Sequence, residues 1–496
     1  MSDGAAILRY ERQILWACAL AVAVALLIGF ESSHLSSIVV GLATLLPLFS
    51  HIRRVGLRDA FTEPSAVTII VGFYFFIFPL RALVIAASGY GDVFLSRGAV
   101  SSGELVAVLL LASAATTALV ESYYFVLGPR IAPQPPSPSA APTYQGPVTL
   151  ATVLVGISLL SLAGVVVQYG GLGAAQAALI SHSTVAALAG NTSFAASGWA
   201  IFSVPAVWSA AYVAFDRGPP IWIRVSFAAT AGLIVLAAIV VYGSRLSALL
   251  AAMGVWVVIY YSGRRIPTRL IFAILLLAIL ASEPIVSERS TGSAVRLSTI
   301  ERYSRIAGYG ELDVALAVRR QPEAIRAELK QPQRWLDLPL YFVPSELWHG
   351  RPNLNARRLG LYVARDLGTA NDQATGFPAT YITETWLLAG WPGTLLVSIV
   401  FGGLLGWTRR RLVGSGAPPS AAAVLTYCFV LTLGWTYYKD GDILLTIIGQ
   451  TRTAIYLGLL MFATGVLGQR TRSQTRVKTE AETPLRRTRS AGNEAA

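Results

Sequence analysis

TRLIFAILLLAILASEPIVSERSTGSAVRLSTIERYSRIAGYG (Thr268–Gly310) changes character near its middle. It is apolar up to Ala281, and from Ile285 it turns polar and stays largely so to Pro378. The apolar part reads as a membrane-spanning helix and the polar part as the start of one large extramembrane segment. That junction decides the fold, an all-α polytopic membrane protein with a single dominant loop. The loop repeats arginine at Arg289, Arg296, Arg302, Arg305, Arg319 and Arg320, then at Arg351, Arg357, Arg358 and Arg365. A transporter rarely needs so much cationic surface on one membrane face.

Working outward, the composition agrees. The 496 residues are 54% hydrophobic and only 13% charged, with a mean hydropathy of +0.59. Soluble domains carry about 25% charged residues. Apolar runs fall near 14–31, 35–51, 65–88, 103–127, 148–169, 196–215, 221–242, 246–262, 268–284, 381–407, 420–438 and 443–467. Each approaches the ~20 residues a helix needs to cross a bilayer, so about 12 transmembrane helices are expected. Cys18 and Cys428 both lie in apolar runs, which leaves no disulfide framework or paired-cysteine metal site. The net charge of +13 is read as topology signal and tail, not as a nucleic-acid surface.

Short-loop charge sets the orientation. A cytoplasmic N-terminus puts Arg9, Arg12, Arg53, Arg54, Arg58, Arg130, Arg217, Arg224, Arg264, Arg265, Arg269 and Arg409–Arg411 inside, against Arg97, Arg245 and Lys439 outside. Both termini are then cytoplasmic and the long loop faces outward. The expected organisation is 1–284 as transmembrane helices 1–9, 285–378 as a large periplasmic loop with short helices, 379–467 as helices 10–12, and 468–496 as a basic cytoplasmic tail. Within the loop, GELDVALAVRR (Gly310–Arg320) sets Leu312 and Leu316 four apart, the spacing of an apolar helix stripe.

Five stretches give the chain a family resemblance: VYGSRLSALL (Val241–Leu250), ERYSRIAGYGELDVALAV (Glu301–Val318), LYFVPSELWHGRPN (Leu340–Asn353), ATYITETWLLAGWPGTLLVSIVFGGLLG (Ala379–Gly406) and YYKDGDILL (Tyr437–Leu445). In order and outward placement they resemble the Wzy-type polymerases of O-antigen and exopolysaccharide repeat units, part of the O-antigen polymerase and ligase group. The resemblance covers about the C-terminal half. It implies a bacterial inner-membrane glycosyltransferase that polymerises undecaprenyl-pyrophosphate-linked oligosaccharide units at the periplasmic face. Membrane lipid, a chain-length regulator and a flippase are the further partners it implies, with no nucleic acid and no cofactor.

In such a reaction the leaving lipid pyrophosphate needs charge stabilisation, which guanidinium groups supply by charge-assisted hydrogen bonds. The candidate pyrophosphate ligands are Arg245, at a span edge where the bland reading is a snorkelling anchor, Arg302 and Arg305, three apart on one helix face, and Arg289. Arg81 and Arg452 join them, because a charge inside a span is a site hypothesis by default. The acceptor hydroxyl needs a base. Glu384 is the first candidate, followed by His349 and Asp313. His34, His51 and His182 stand as isolated singles. Asp440-Gly441-Asp442 has the form of a metal-binding DxD, but it stands alone where Asp-Gly is ordinary turn chemistry, and no metal is expected. Two alternatives stay open: a ligase-like transferase using His349, and a lipid-oligosaccharide flippase or transporter.

Overall fold

The computed structural model describes residues 40–56, 60, 63–87, 100–128, 145–176, 194–216, 218–242, 245–263, 311–320, 323, 326–327, 380–414, 419–441 and 443–467. The described elements are helical: α1 (Leu46–Val55), α2 (Ala66–Phe75), a π-helical turn (Phe76–Leu80), α3 (Arg81–Ala87), α4 (Ser102–Leu127) and α5 (Gln145–Gln168). They continue with α6 (Phe194–Phe215), α7 (Ile221–Val240), α8 (Arg245–Tyr261), α9 (Glu311–Arg320), α10 (Tyr381–Leu412), α11 (Ala421–Asp440) and α12 (Ile443–Ala463). Seven of the described helices are long and apolar enough to cross a membrane. The protein is therefore an α-helical multi-pass membrane protein. Leu233, Leu236 and Trp222 on α7 and Leu396, Val400 and Leu404 on α10 are exposed, as expected of faces turned to lipid. The runs expected at 14–31 and 268–284, most of the long loop and the tail lie outside the described residues.

Hydroxyl side chains start several of these helices. Ser65 accepts from the Thr68 amide, Ser101 closes a capping box with Glu104, and Ser420 accepts from the Ala423 amide. Each satisfies an amide that the first turn leaves without an intrahelical partner. Two apolar cores result. One gathers α1 to α4 with α9 and the start of α10, and the other gathers α5 to α8 with α11 and α12. α11 is their shared wall: Leu431 and Trp435 belong to the second core, Tyr437 and Tyr438 to the first.

The span expected at 381–407 is not one helix. Gly390 has φ 67° and ψ −166°, a backbone region essentially closed to residues with a Cβ. Tyr381 Oη and Ser398 Oγ, 17 residues apart, lie 3.0 Å from each other. The Thr385 hydroxyl donates to that of Thr394 at 3.3 Å. In a straight helix 17 residues rise about 25 Å, so the chain must reverse at Gly390. Residues 381–389 form a short arm folded back along a long arm, 391–412, which alone has the length to span. Composition concealed this, because both arms are apolar; Gly390 and Pro392, close to the start of the long arm, were the available signs. The expected span 65–88 is likewise interrupted, by the π turn at Pro79, where the missing proline amide breaks the regular ladder.

The long arm packs on α4 through Gly402 and Gly406. A Cβ at Gly402 would run into the Leu119 carbonyl, and one at Gly406 into that of Tyr123. Small residues are what let membrane helices approach this closely. Gly402→Ala and Gly406→Ala are each expected to cost about 1–3 kcal/mol through overpacking, read as lowered thermal stability of the purified protein in detergent. Gly403→Ala, whose Cβ would meet only Val126 at 3.6 Å, should leave it unchanged.

Candidate functional site

At one end of the bundle, residues far apart in sequence meet. α9 is too short to span, yet Glu311 through Val318 are all buried against α4, α10 and the π turn. The expected Leu312–Leu316 stripe does join the core, but the face bearing Glu311 and Asp313 is equally enclosed. A wholly buried helix must bring partners for its carboxylates. For Asp313 the partner is Arg81, the first residue of α3. Arg81 Nε donates to Asp313 Oδ2 at 3.1 Å and Nη2 to Oδ1 at 3.0 Å. Both are almost completely buried, at 4% and 1% exposure. A candidate pyrophosphate ligand and a candidate base thus form one bidentate ion pair, which ties the loop helix to the bundle.

Glu384 sits on the short arm of α10 and is buried. Its Oε2 accepts from the Ile443 backbone amide at 3.2 Å. Ile443 is the first residue of α12, so the carboxylate caps that helix from a distant element and meets its positive end. Because the short arm folds back, Glu384 lies about two helical turns below the Gly390 tip, not at the mouth of a span.

Glu311 opens α9. It is 2% exposed, and its Oε2 is buried with no hydrogen-bond partner among the described residues. Burial is the main influence on its carboxyl. Lys439 works against it, Asp440 and Asp313 reinforce it, and the result is pushed up to about 8. Lys439 is bonded to Asp440 at 3.0 Å. Gly441, which ends α11, takes the left-handed conformation at φ 58°, so the first half of the DxD is a helix-terminating turn. In the sequence, Glu311 reads, like Glu301 and Asp313, as an ordinary surface partner for Arg302 and Arg305. The sign that it is buried was the wholly apolar VALAV that follows Glu311-Leu-Asp313, which leaves no polar face to turn toward water.

Beside these groups a small cleft is walled by Phe78, Val108, Leu111, Ile382 and Trp386, with Arg319 lining it. Arg319 is exposed, so a guanidinium and an apolar trough stand side by side. Nearby, Arg326 on the segment after α9 donates to the Leu387 carbonyl at 2.9 Å and pairs with Glu323.

The remaining candidates divide. Arg452 is half-buried within α12, about 13 Å along that helix from Ile443. Arg245 begins α8, and its side chain lies outside the described residues, as do Arg289, Arg302, Arg305, His349, His34 and His182. His51 is not the isolated single that the sequence suggested. Its Nδ1 is 2.7 Å from Tyr124 Oη and its Nε2 3.2 Å from the Ala60 carbonyl, so Nε2 donates to the carbonyl and Nδ1 accepts from the phenol.

The opposite end holds a second buried pair. Arg409 is bound to Glu63 and donates to Tyr123 Oη at 2.8 Å. Arg53 and Arg54 clasp Glu121 at 3.1 and 2.6 Å near the surface. Compared with models of known protein families, with curated proteins and with solved structures, the chain shows no match.

Proposed function

We propose that this protein transfers glycan from one lipid-pyrophosphate carrier to a sugar on another, at the membrane face bearing Arg81 and α9, and so polymerises undecaprenyl-pyrophosphate-linked repeat units. The observation that supports this reading best is the small apolar cleft with the exposed Arg319 guanidinium at its wall, a cation placed to meet a phosphate at the edge of an apolar surface. The Wzy-type resemblance and the arginine-rich loop agree with it. A bacterial inner membrane, cytoplasmic termini and a periplasmic site belong to the same proposal. Arg302, Arg305, Arg289 and Arg245 remain its further pyrophosphate ligands, with Arg81 in a positioning role through Asp313.

The alternative from another class is transport of a lipid-linked oligosaccharide. It draws on the folded-back arm of α10 and the π turn, since broken helices line the sites of many transporters. A deletion strain of the native host separates the two. Exported single repeats with the long-chain ladder missing would support polymerisation. Long lipid-linked chains that never reach their final acceptor would mean a ligase, and repeat units held on the cytoplasmic side a transporter. In the complemented strain, Arg319→Ala is expected to weaken use of the lipid-linked donor about ten- to a hundredfold, the worth of a charge-assisted hydrogen bond. Wild-type ladders from Arg319→Ala would remove the cleft from the reading.

A further inference from the structure

Resting on that reading, we propose that Glu311, rather than Glu384 or Asp313, is the group that takes the proton from the acceptor hydroxyl. Placement singles it out: Glu311 stands one turn before Ala315 and two before Arg319, the α9 residues that line the cleft. Asp313 has both oxygens committed to Arg81. Glu384 holds the Ile443 amide on Oε2 and is thereby fixed as the cap of α12, while its Oε1 is buried without a hydrogen bond among the described residues. Glu311 lies on the same helix as Asp313 and is just as buried, and its Oε2 has no hydrogen-bond partner among the described residues. Enclosing a carboxyl oxygen in this way costs stability, and such groups gather where chemistry needs them.

The charged groups around it are accounted for element by element. Lys439 and Asp440 approach from α11 and are bonded to each other. Asp313 follows on α9, and Arg81 of α3 is turned to it. Glu104 of α4 is held in the capping box at Ser101, Glu384 of α10 accepts from the Ile443 amide, and Arg319, two turns on along α9, is exposed. No metal is needed for the step. The acceptor oxygen attacks the anomeric carbon, and the bond from that carbon to the pyrophosphate oxygen breaks. The electron pair leaves with the lipid pyrophosphate, and the hydroxyl proton passes to the Glu311 carboxylate. A carboxyl raised to about 8 is a stronger base than an ordinary one and still ionises close to neutral pH. Because the ionised form does the work, the rate should climb with pH and level off above about 8.

The test is chain elongation by the purified full-length protein in lipid nanodiscs, given lipid-linked repeat units extracted from the native host. Glu311→Gln should fall by about a hundredfold or more while still binding donor lipid, with a melting temperature like that of the wild type. Glu311→Asp should keep part of the activity. The wild-type pH profile should show the rise, and any residual activity of Glu311→Gln should lack it. Wild-type elongation by Glu311→Gln overturns the inference while leaving the proposed function standing. A wild-type profile that is flat through about pH 8 overturns it even where Glu311→Gln fails to fold. No elongation by the wild type, with the host ladder intact in the deletion strain, overturns the proposed function itself.

Discussion

Arg81→Met made alone is expected to lower stability by about 3–5 kcal/mol, because it strands the Asp313 carboxylate where water cannot reach it. The pair is bidentate and almost fully enclosed, so solvent screening offers little relief. Asp313→Leu alone should cost a similar amount by stranding the guanidinium. The double variant, Arg81→Met with Asp313→Leu, should recover most of the loss, since exchanging a buried pair for apolar side chains is often close to neutral. Thermal unfolding of the four proteins in one detergent completes the cycle. Activity should not return with stability. Glu311 stands two residues before Asp313 on α9, and the ion pair holds that helix in register.

The second large effect lies at the other end. Arg409, Arg410 and Arg411 read alike in sequence, as a cluster marking a cytoplasmic helix end. The structure separates them. Arg409 is buried on Glu63 and Tyr123, Arg410 is exposed and donates to the Val126 carbonyl at 3.4 Å, and Arg411 lies over the Trp407 ring. Arg409→Met should therefore cost about 3–5 kcal/mol by leaving Glu63 uncompensated. Arg410→Met should stay within about 0.5 kcal/mol, as exposed substitutions usually do. Equal losses for the two would mean that Arg409 contributes only to surface charge. Adding Glu63→Met to Arg409→Met should restore much of the stability, on the same denaturation scale.

Much of the helical layout could be read in advance because it follows from local composition. The expected runs 103–127, 148–169, 196–215 and 221–242 coincide with α4 to α7 to within a few residues, since a bilayer-length apolar stretch has few other ways to satisfy its backbone. The break at Gly390 was hidden for the same reason: hydropathy averages over a window and is blind to chain direction. Charge placement was harder still. Arg81 stood out as a charge inside a span, and Asp313 only as the third candidate base. Their pairing spans 232 residues and depends on α9 entering the bundle, which no local pattern encodes. Glu311 was passed over because a glutamate at the start of a short loop helix looks like an ordinary first-turn acid. Only the packing around α9 makes it exceptional.

α11 connects these observations. It runs 20 residues from Ala421 to Asp440 without a proline, close to 30 Å of continuous helix. Near its start, Tyr427 donates to the Pro64 carbonyl beside Glu63. At its end, Lys439 and Asp440 supply the field around Glu311. A rigid rod anchored in both charged clusters cannot turn or slide at one without moving its groups at the other. Substitutions at Glu63 and at Glu311, at opposite ends of the helical bundle, should therefore fail to add independently, making the two ends thermodynamically coupled through a single helix.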